Sequence, residues 1–222
     1  MNETDRWLTF DCFGTLVSWQ RGFPSILQKV AGPRARELAD AYHRYENQVE
    51  AGEYRPYKGI LRTTLRLAAQ SIDLALEERD YDILSREWDR QPVWEDVGPA
   101  LREVRQAGWK VAALTNCDND LFERTKATLP FSFDAVITAE DVRSYKPAPA
   151  HFLRFRERGI AENRWVHVAC SYFHDIAPAH ELGIRSVWID RDRTGEDPAA
   201  ARAVQRDLRG LAATVGRISG EL

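Results

Sequence analysis

Six side chains of types that do chemistry fall where apolar runs end. Asp11 closes "WLTFD" and is followed by a Gly14-Thr15 turn. Thr115 and Asn116 close "KVAALTN". Lys146 precedes Pro147 in "SYKPAPAHF", and Asp175 follows His174 in "HVACSYFHD". A carboxylate in such a turn either caps backbone N–H groups or attacks an electrophilic carbon. A lysine brought near two aspartates holds both ionised; otherwise it is a surface residue ahead of a helix. Hydroxyl and amide groups orient a nucleophile or a bound carboxylate, or simply cap turns. Asp175 either orients a water or N-caps the helix after it, and the two roles are compatible. His174 beside it is a donor or a solvated neighbour.

These residues gain meaning only if elements bring them together. Short, largely apolar runs predict buried strands at Trp7–Asp11, Lys110–Thr115, Asp134–Thr138, Trp165–Ala169 and Arg185–Ile189. Helical patterns at Val97–Ala107, Asp120–Thr128, Ala150–Arg158 and Asp175–Leu182 alternate with them. That alternation predicts an α/β fold built on a doubly wound parallel sheet. In a parallel sheet the carboxyl ends of the strands share one edge, so the six side chains converge on one crevice. From about Arg21 to Gln91 no strand is expected. "ARELADAYHRYENQVEAG", "YKGILRTTLRLAAQSI" and "LEERDYDILSREWDR" read as amphipathic helices. The expected domains are an α/β core from 1–18 and 93–222 and a helical cap from 19–92, placed to cover the end of the first strand.

Composition narrows the function classes. With 44% hydrophobic residues in 222, the chain has material for a sizeable core. A net charge of −3 with interspersed signs argues against nucleic acid or anionic membrane as partner. No apolar run is long enough to span a bilayer. The polar start "MNETDRW" does not read as a signal peptide. Three cysteines, Cys12, Cys117 and Cys170, match no disulfide framework or zinc spacing and are expected to be small buried residues. Their number and spacing suit a reducing cytoplasm. The tryptophans are expected in core and cap packing, with Trp19 a candidate for the pocket wall.

The ordered set Asp-x-aromatic-Gly-Thr-Leu, strand-end hydroxyl plus Asn, Lys-Pro, and a strand ending in an acidic loop resembles the haloacid dehalogenase superfamily. The resemblance covers nearly the whole chain, including the cap. "FDCFGTLVSW" and "HVACSYFHDIAPAHELGIRSVWIDR" are most similar to its L-2-haloacid dehalogenase branch. It implies a Rossmann-like core, a small 2-substituted carboxylic acid as substrate, no cofactor and a homodimer. Asp11 becomes the nucleophile that forms an aspartyl ester, Lys146 its partner, and Asp175 the group at the hydrolytic water. Thr15, Thr115, Asn116, Phe13, Tyr172 and His174 become substrate-side residues.

Superfamily phosphatases carry an acid where this chain has Phe13, because an alkoxide leaving group needs a proton and a halide does not. Phe13 and Cys170 replace two expected acids, which points to a metal-free site, although two carboxylates can hold magnesium with waters. The chain departs from the dehalogenase pattern at Cys170, Tyr172 and Phe152, where Ser, Asn and Tyr are expected. Arg44 is the nearest counterpart of the halide-binding cap arginine, with Arg55 its rival. The leading reaction is hydrolytic release of halide from short 2-haloacids. The same design also serves fluoroacetate or azetidine-2-carboxylate, and a magnesium-dependent phosphatase is the reading from another class.

Overall fold

The structure is a computed structural model that describes residues 5–220. Met1–Thr4, which carry most of the polar start, and residues 221–222 lie outside the described residues. A parallel sheet forms the centre, in the order β3-β2-β1-β4-β5-β6. Its strands are β1 (Arg6–Phe10), β2 (Trp109–Thr115), β3 (Ala135–Thr138), β4 (Trp165–Ala169), β5 (Arg185–Ile189) and β6 (Ala203–Gln205). β2 and β4 both pair with β1, so the winding direction reverses beside β1. Ligand crevices open where the order reverses. In the register of β1 with β4, Thr9 lies opposite His167. Residues just beyond these two strand ends are therefore neighbours. The sixth strand was not expected; it is three residues long and sits at the sheet edge, too short for a periodic signal.

Between β1 and β2 come the helices α1 (Trp19–Ala31), α2 (Ala35–Glu50), α3 (Tyr57–Ser71) and the single turn α4 (Ile83–Arg86). The stretch expected as a third long helix, from Leu76 to Arg90, instead breaks into α4 flanked by tight turns at Glu78–Asp82 and Trp88–Arg90. The other helices are α5 (Val97–Gln106), α6 (Asn119–Lys126), α7 (Ala139–Val142), α8 (Ala150–Arg156), α9 (Ala177–Glu181) and α10 (Leu211–Ser219). The helix expected from Asp175 starts as one wide turn over Tyr172–Ile176, in which Ile176 N–H donates to Ser171 O at 3.2 Å. Such widened turns concentrate at functional sites.

The inserted helices share apolar packing with the crevice. Phe23, Leu27, Tyr42, Tyr57 and Leu61 bury their side chains in one cluster with Cys12, Ala113 and Phe122. Polar contacts add register. Asp118, just past β2, accepts from the backbone N–H groups of Tyr57 at 2.7 Å and Lys58 at 3.0 Å. It thereby satisfies orphan donors of α3 from another part of the chain and puts negative charge at the positive end of that helix. Tyr145 O–H donates to Arg55 O at 2.8 Å, and Trp88 Nε1–H to Thr125 Oγ1 at 3.1 Å. Replacing Asp118 by Ala should remove about 1–2 kcal/mol of stability, read as a lower urea midpoint. An unchanged midpoint would show that α3 needs no cap from the sheet side.

Candidate active site

The turn after β1 depends on a glycine. Gly14 has φ +99°, and a Cβ there would come within 2.6 Å of Cys170 Sγ and 3.0 Å of Trp19 Nε1. Any side chain would be strained and crowded. The turn closes through Leu16 N–H to Cys12 O at 2.8 Å and Gly14 N–H to Val17 O at 2.6 Å. This aims Asp11 into the crevice and leaves it 6% exposed. Thr15 Oγ1–H donates to Asp11 Oδ2 at 2.7 Å, and the same oxygen accepts from Cys170 N–H at 2.8 Å. Thr15 therefore orients the carboxylate and ties the first turn to the fourth.

Lys146 is 1% exposed. Its ammonium donates to Asp11 Oδ1 at 3.0 Å, Asp175 Oδ1 at 2.6 Å and Leu114 O at 2.9 Å. Those three bonds use all its protons. Burial alone would depress the lysine, but the two carboxylates outweigh it and raise its pKa. Burial lifts Asp11 above the ordinary carboxylate value, Lys146 opposes this, and the nearby Asp175 adds to the rise. For Asp175, burial is outweighed by Lys146 and His167, and its pKa falls to about 2. One ammonium thus serves two carboxylates unequally.

Asp175 has a second partner that sequence reasoning missed. His167 Nε2 lies 3.0 Å from Asp175 Oδ1, and its Nδ1 lies 2.9 Å from Thr9 Oγ1. Trp165 Nε1–H donates to the same Thr9 oxygen at 2.8 Å. A carboxylate only accepts, so Nε2 carries a proton toward Asp175. The clue was a histidine inside the apolar run "WVHVA". Asp175 Oδ2 is buried and has no hydrogen-bond partner.

A cavity of about 340 Å³ opens over these groups, lined by Asp11, Lys146 and Asp175 at its base. Phe13, Asn116, Tyr172 and His174 also line it. Phe13 packs edge-on against Trp88 with centroids 4.6 Å apart. Asn116 is bound reciprocally to the Lys146 backbone: its amide N–H donates to Lys146 O at 3.0 Å and its oxygen accepts from Lys146 N–H at 2.8 Å. Thr115 does not reach the cavity wall. Its hydroxyl is buried 3.7 Å from Cys117 Sγ, and its carbonyl faces His151 Nε2 at 3.2 Å. Burial, then the Lys146 charge, push His151 down to about 3. Cys12 and Cys117 are buried free thiols, and Cys170 lines the cavity.

Arg44 is corrected by the register of α2. It lies on the exposed face and does not line the cavity. Arg55 is also exposed, and donates to Val49 O at 2.7 Å. The α2 residues that reach the cavity are Glu46 and Glu50, one helical turn apart. Glu46 accepts from Tyr57 O–H at 3.1 Å and Tyr42 O–H at 3.3 Å, and its other oxygen lies 3.4 Å from His43 Nδ1. Burial, then the Glu46 charge, raise both phenol pKa values well above normal, so they remain donors. Glu50 Oε2 lies 3.5 Å from His174 Nε2. Trp19 and Tyr57 line the wall beside them.

Lys146→Met should leave two buried carboxylates without their cation and cost about 3–5 kcal/mol at neutral pH. In the parent, Asp175 titrates near 2 when folded. Its contribution is present above the unfolded carboxylate value and lost as pH falls through about 2. The deficit of the variant should therefore shrink on acidification. Urea melts from pH 7 to pH 3 check both the size and the sign.

Comparison with known proteins follows the same features. The model of the haloacid dehalogenase-like hydrolase family matches residues 6–168. An (S)-2-haloacid dehalogenase of Pseudomonas fluorescens is 24% identical over 203 residues, covering 87% of this chain and 88% of that protein. A phosphoserine phosphatase of Thermus thermophilus is 33% identical over 155 residues, covering 68% of this chain and 60% of that protein. The solved L-2-haloacid dehalogenase of Xanthobacter autotrophicus superposes with a TM-score of 0.82 at 18% identity, covering 99% of this chain and 100% of that one, a likeness of fold. With a family match running from β1 into β4 and the four strand-end sites within one crevice, the chain belongs to the haloacid dehalogenase-like hydrolases.

Proposed function

We propose that this hydrolase displaces a leaving group from a saturated carbon of a small molecule through an ester on Asp11, halide being the leaving group that its dehalogenase relatives favour. The observation that carries the reading is the buried Asp11–Lys146–Asp175 bridge at the base of a cavity whose wall at Phe13 is apolar. Asp11 attacks from the side opposite the leaving group. The C–O bond forms as the carbon–leaving-group bond breaks, and the leaving group departs with the electron pair. Phe13 has no proton to give, so the design suits a group that leaves without one. Water then adds to the ester carbonyl, the alcohol departs, and Asp11 is regenerated as the carboxylate. The unpartnered Asp175 Oδ2 is available to accept from that water.

His174 lines the cavity, with its Nε2 3.5 Å from Glu50 Oε2. Its Nε2 carries no hydrogen bond, and although burial opposes its charge, Glu50 raises its pKa.

The phosphatases of the family raise the question of magnesium. The donor set does not fit it. The side chains of Phe13 and Cys170 supply no hard oxygen, and the Lys146 ammonium already bridges the two carboxylates. No step is assigned to a metal. Turnover should persist after exhaustive chelation, and loss with EDTA that magnesium restores would favour phosphoryl transfer.

Single turnover of a 2-haloacid in oxygen-18 water tests the covalent route. Label should enter Asp11, found by peptide mass spectrometry, and Asp11→Asn should reduce turnover by at least about a thousandfold. Label appearing in product with none in Asp11 would refute the ester.

A further inference from the structure

The charge around the cavity is unusual for a site that would take a simple carboxylic acid. Six carboxylates line it: Asp11, Glu46, Glu50, Asp175, Asp192 and Glu196. Among the described residues no arginine does, and the only other ionic side chains there are Lys146 and His174. Lys146 already spends its three protons on Asp11, Asp175 and Leu114 O. An anionic substrate would enter a confined space of like charge with no free guanidinium or ammonium to meet it, and a buried charge without a partner is costly.

The two carboxylates of α2 are not equivalent. Glu46 is fixed from behind by Tyr42, Tyr57 and His43. The Glu50 side chain is 8% exposed, and among the described residues its one ion-pair partner is His174 at 3.5 Å, too long for a good hydrogen bond. Among the described residues no donor completes its shell. A carboxylate this buried normally has its hydrogen bonds satisfied.

A second observation, independent of the acids, points to the same ligand chemistry. The rings of Trp19, Phe23, Tyr57 and Trp88 line the cavity along the side that α2 covers. Trp19 and Phe23 both stand against His43, with centroids 4.0 Å and 6.0 Å away, and Trp88 meets Tyr57 at 5.8 Å. Aromatic faces beside carboxylates are the usual receptor for an organic ammonium, because ring quadrupole and carboxylate attract the same charge. An ammonium offers its donors to Glu50 and its C–H surface to the rings. A carboxylate or phosphate gains from neither.

We propose that the substrate of this enzyme carries an ammonium group, seated between Glu50 and Glu46 against the Trp19–Tyr57–Trp88 wall, while its electrophilic carbon faces Asp11. The proposal rests on the reading of Asp11 as the nucleophile only for which end of the substrate reacts. Glu50 and Glu46 then determine specificity. They take no part in bond making, and the displacement and hydrolysis steps keep the balance given above. The substrate class is a short aliphatic amine or amino acid bearing a leaving group on carbon, in place of an unsubstituted haloacid.

Equilibrium binding tests this without turnover. The wild-type protein is titrated with n-propylammonium and with propionate, which are close in size and opposite in charge, at one fixed ionic strength. Tryptophan fluorescence reports occupancy, since Trp19 and Trp88 line the cavity. Propylammonium should bind at least about tenfold more tightly than propionate. Glu50→Gln should weaken propylammonium by about tenfold, the scale of one charge-assisted hydrogen bond, with no loss of propionate affinity. Propionate binding as tightly as propylammonium or more so would overturn the proposal, as would no binding of propylammonium or unchanged propylammonium affinity in a folded Glu50→Gln protein. If that variant does not fold, the wild-type comparison decides alone. Oxygen-18 label in product with none in Asp11 would refute the ester and leave this charge preference standing; equal or reversed charge preference would do the opposite.

Discussion

A lysine ammonium sealed between two aspartates is an arrangement that water would dissolve and that an apolar interior would forbid to any of the three alone. Removing a carboxylate or an ammonium from water costs several kcal/mol after relaxation. Lys146, Asp11 and Asp175 offset that cost only as a group, with Leu114 O taking the third lysine proton, Thr15 bonded to Asp11 and His167 bonded to Asp175. The rest of the core can be understood as what this group requires. The sheet must reverse its winding beside β1 so that Asp11 and Asp175 come within reach of one ammonium. The turn at Gly14 must admit no side chain, because Cys170 and Trp19 already fill the space.

The bridge also leaves two similar carboxylates in different electrostatic settings. Asp175 receives the shorter bond from Lys146 and a second from His167, and remains ionised into strong acid. Asp11 receives the longer bond and is lifted by burial, then by its neighbour.

The helical insert between β1 and β2 covers the cavity from the opposite side with a different logic. Its apolar faces pack into the same cluster as the residues behind Asp11, and Asp118 fixes the start of α3 and hence Tyr57. Tyr57 in turn holds Glu46. A polar chain therefore runs from the end of β2 through the cap to the cavity wall. The base of the cavity and its charged wall are thus built by separate elements.

Periodicity and strand-end residues determined the fold class, and the strand-end residues nominated the base of the site before any coordinates. Short apolar runs admit little besides buried strands, and parallel strands must gather their carboxyl ends. Asp11, Thr15, Asn116, Lys146 and Asp175 were thus legible by position. Phe13 also announced a dry wall, since a phenyl ring has no proton to donate. What the sequence left open was direction. On α2, Arg44, Glu46 and Glu50 fall within two turns, and a rotation of the helix decides whether an arginine or two glutamates face the cavity. Only the packing of Leu38, Tyr42 and Val49 into the core fixes that rotation, placing Arg44 in solvent and both glutamates on the cavity wall. His167 was hidden for a related reason. Its partners Thr9 and Asp175 are set by strand register and by a widened helical turn, and neither follows from local sequence.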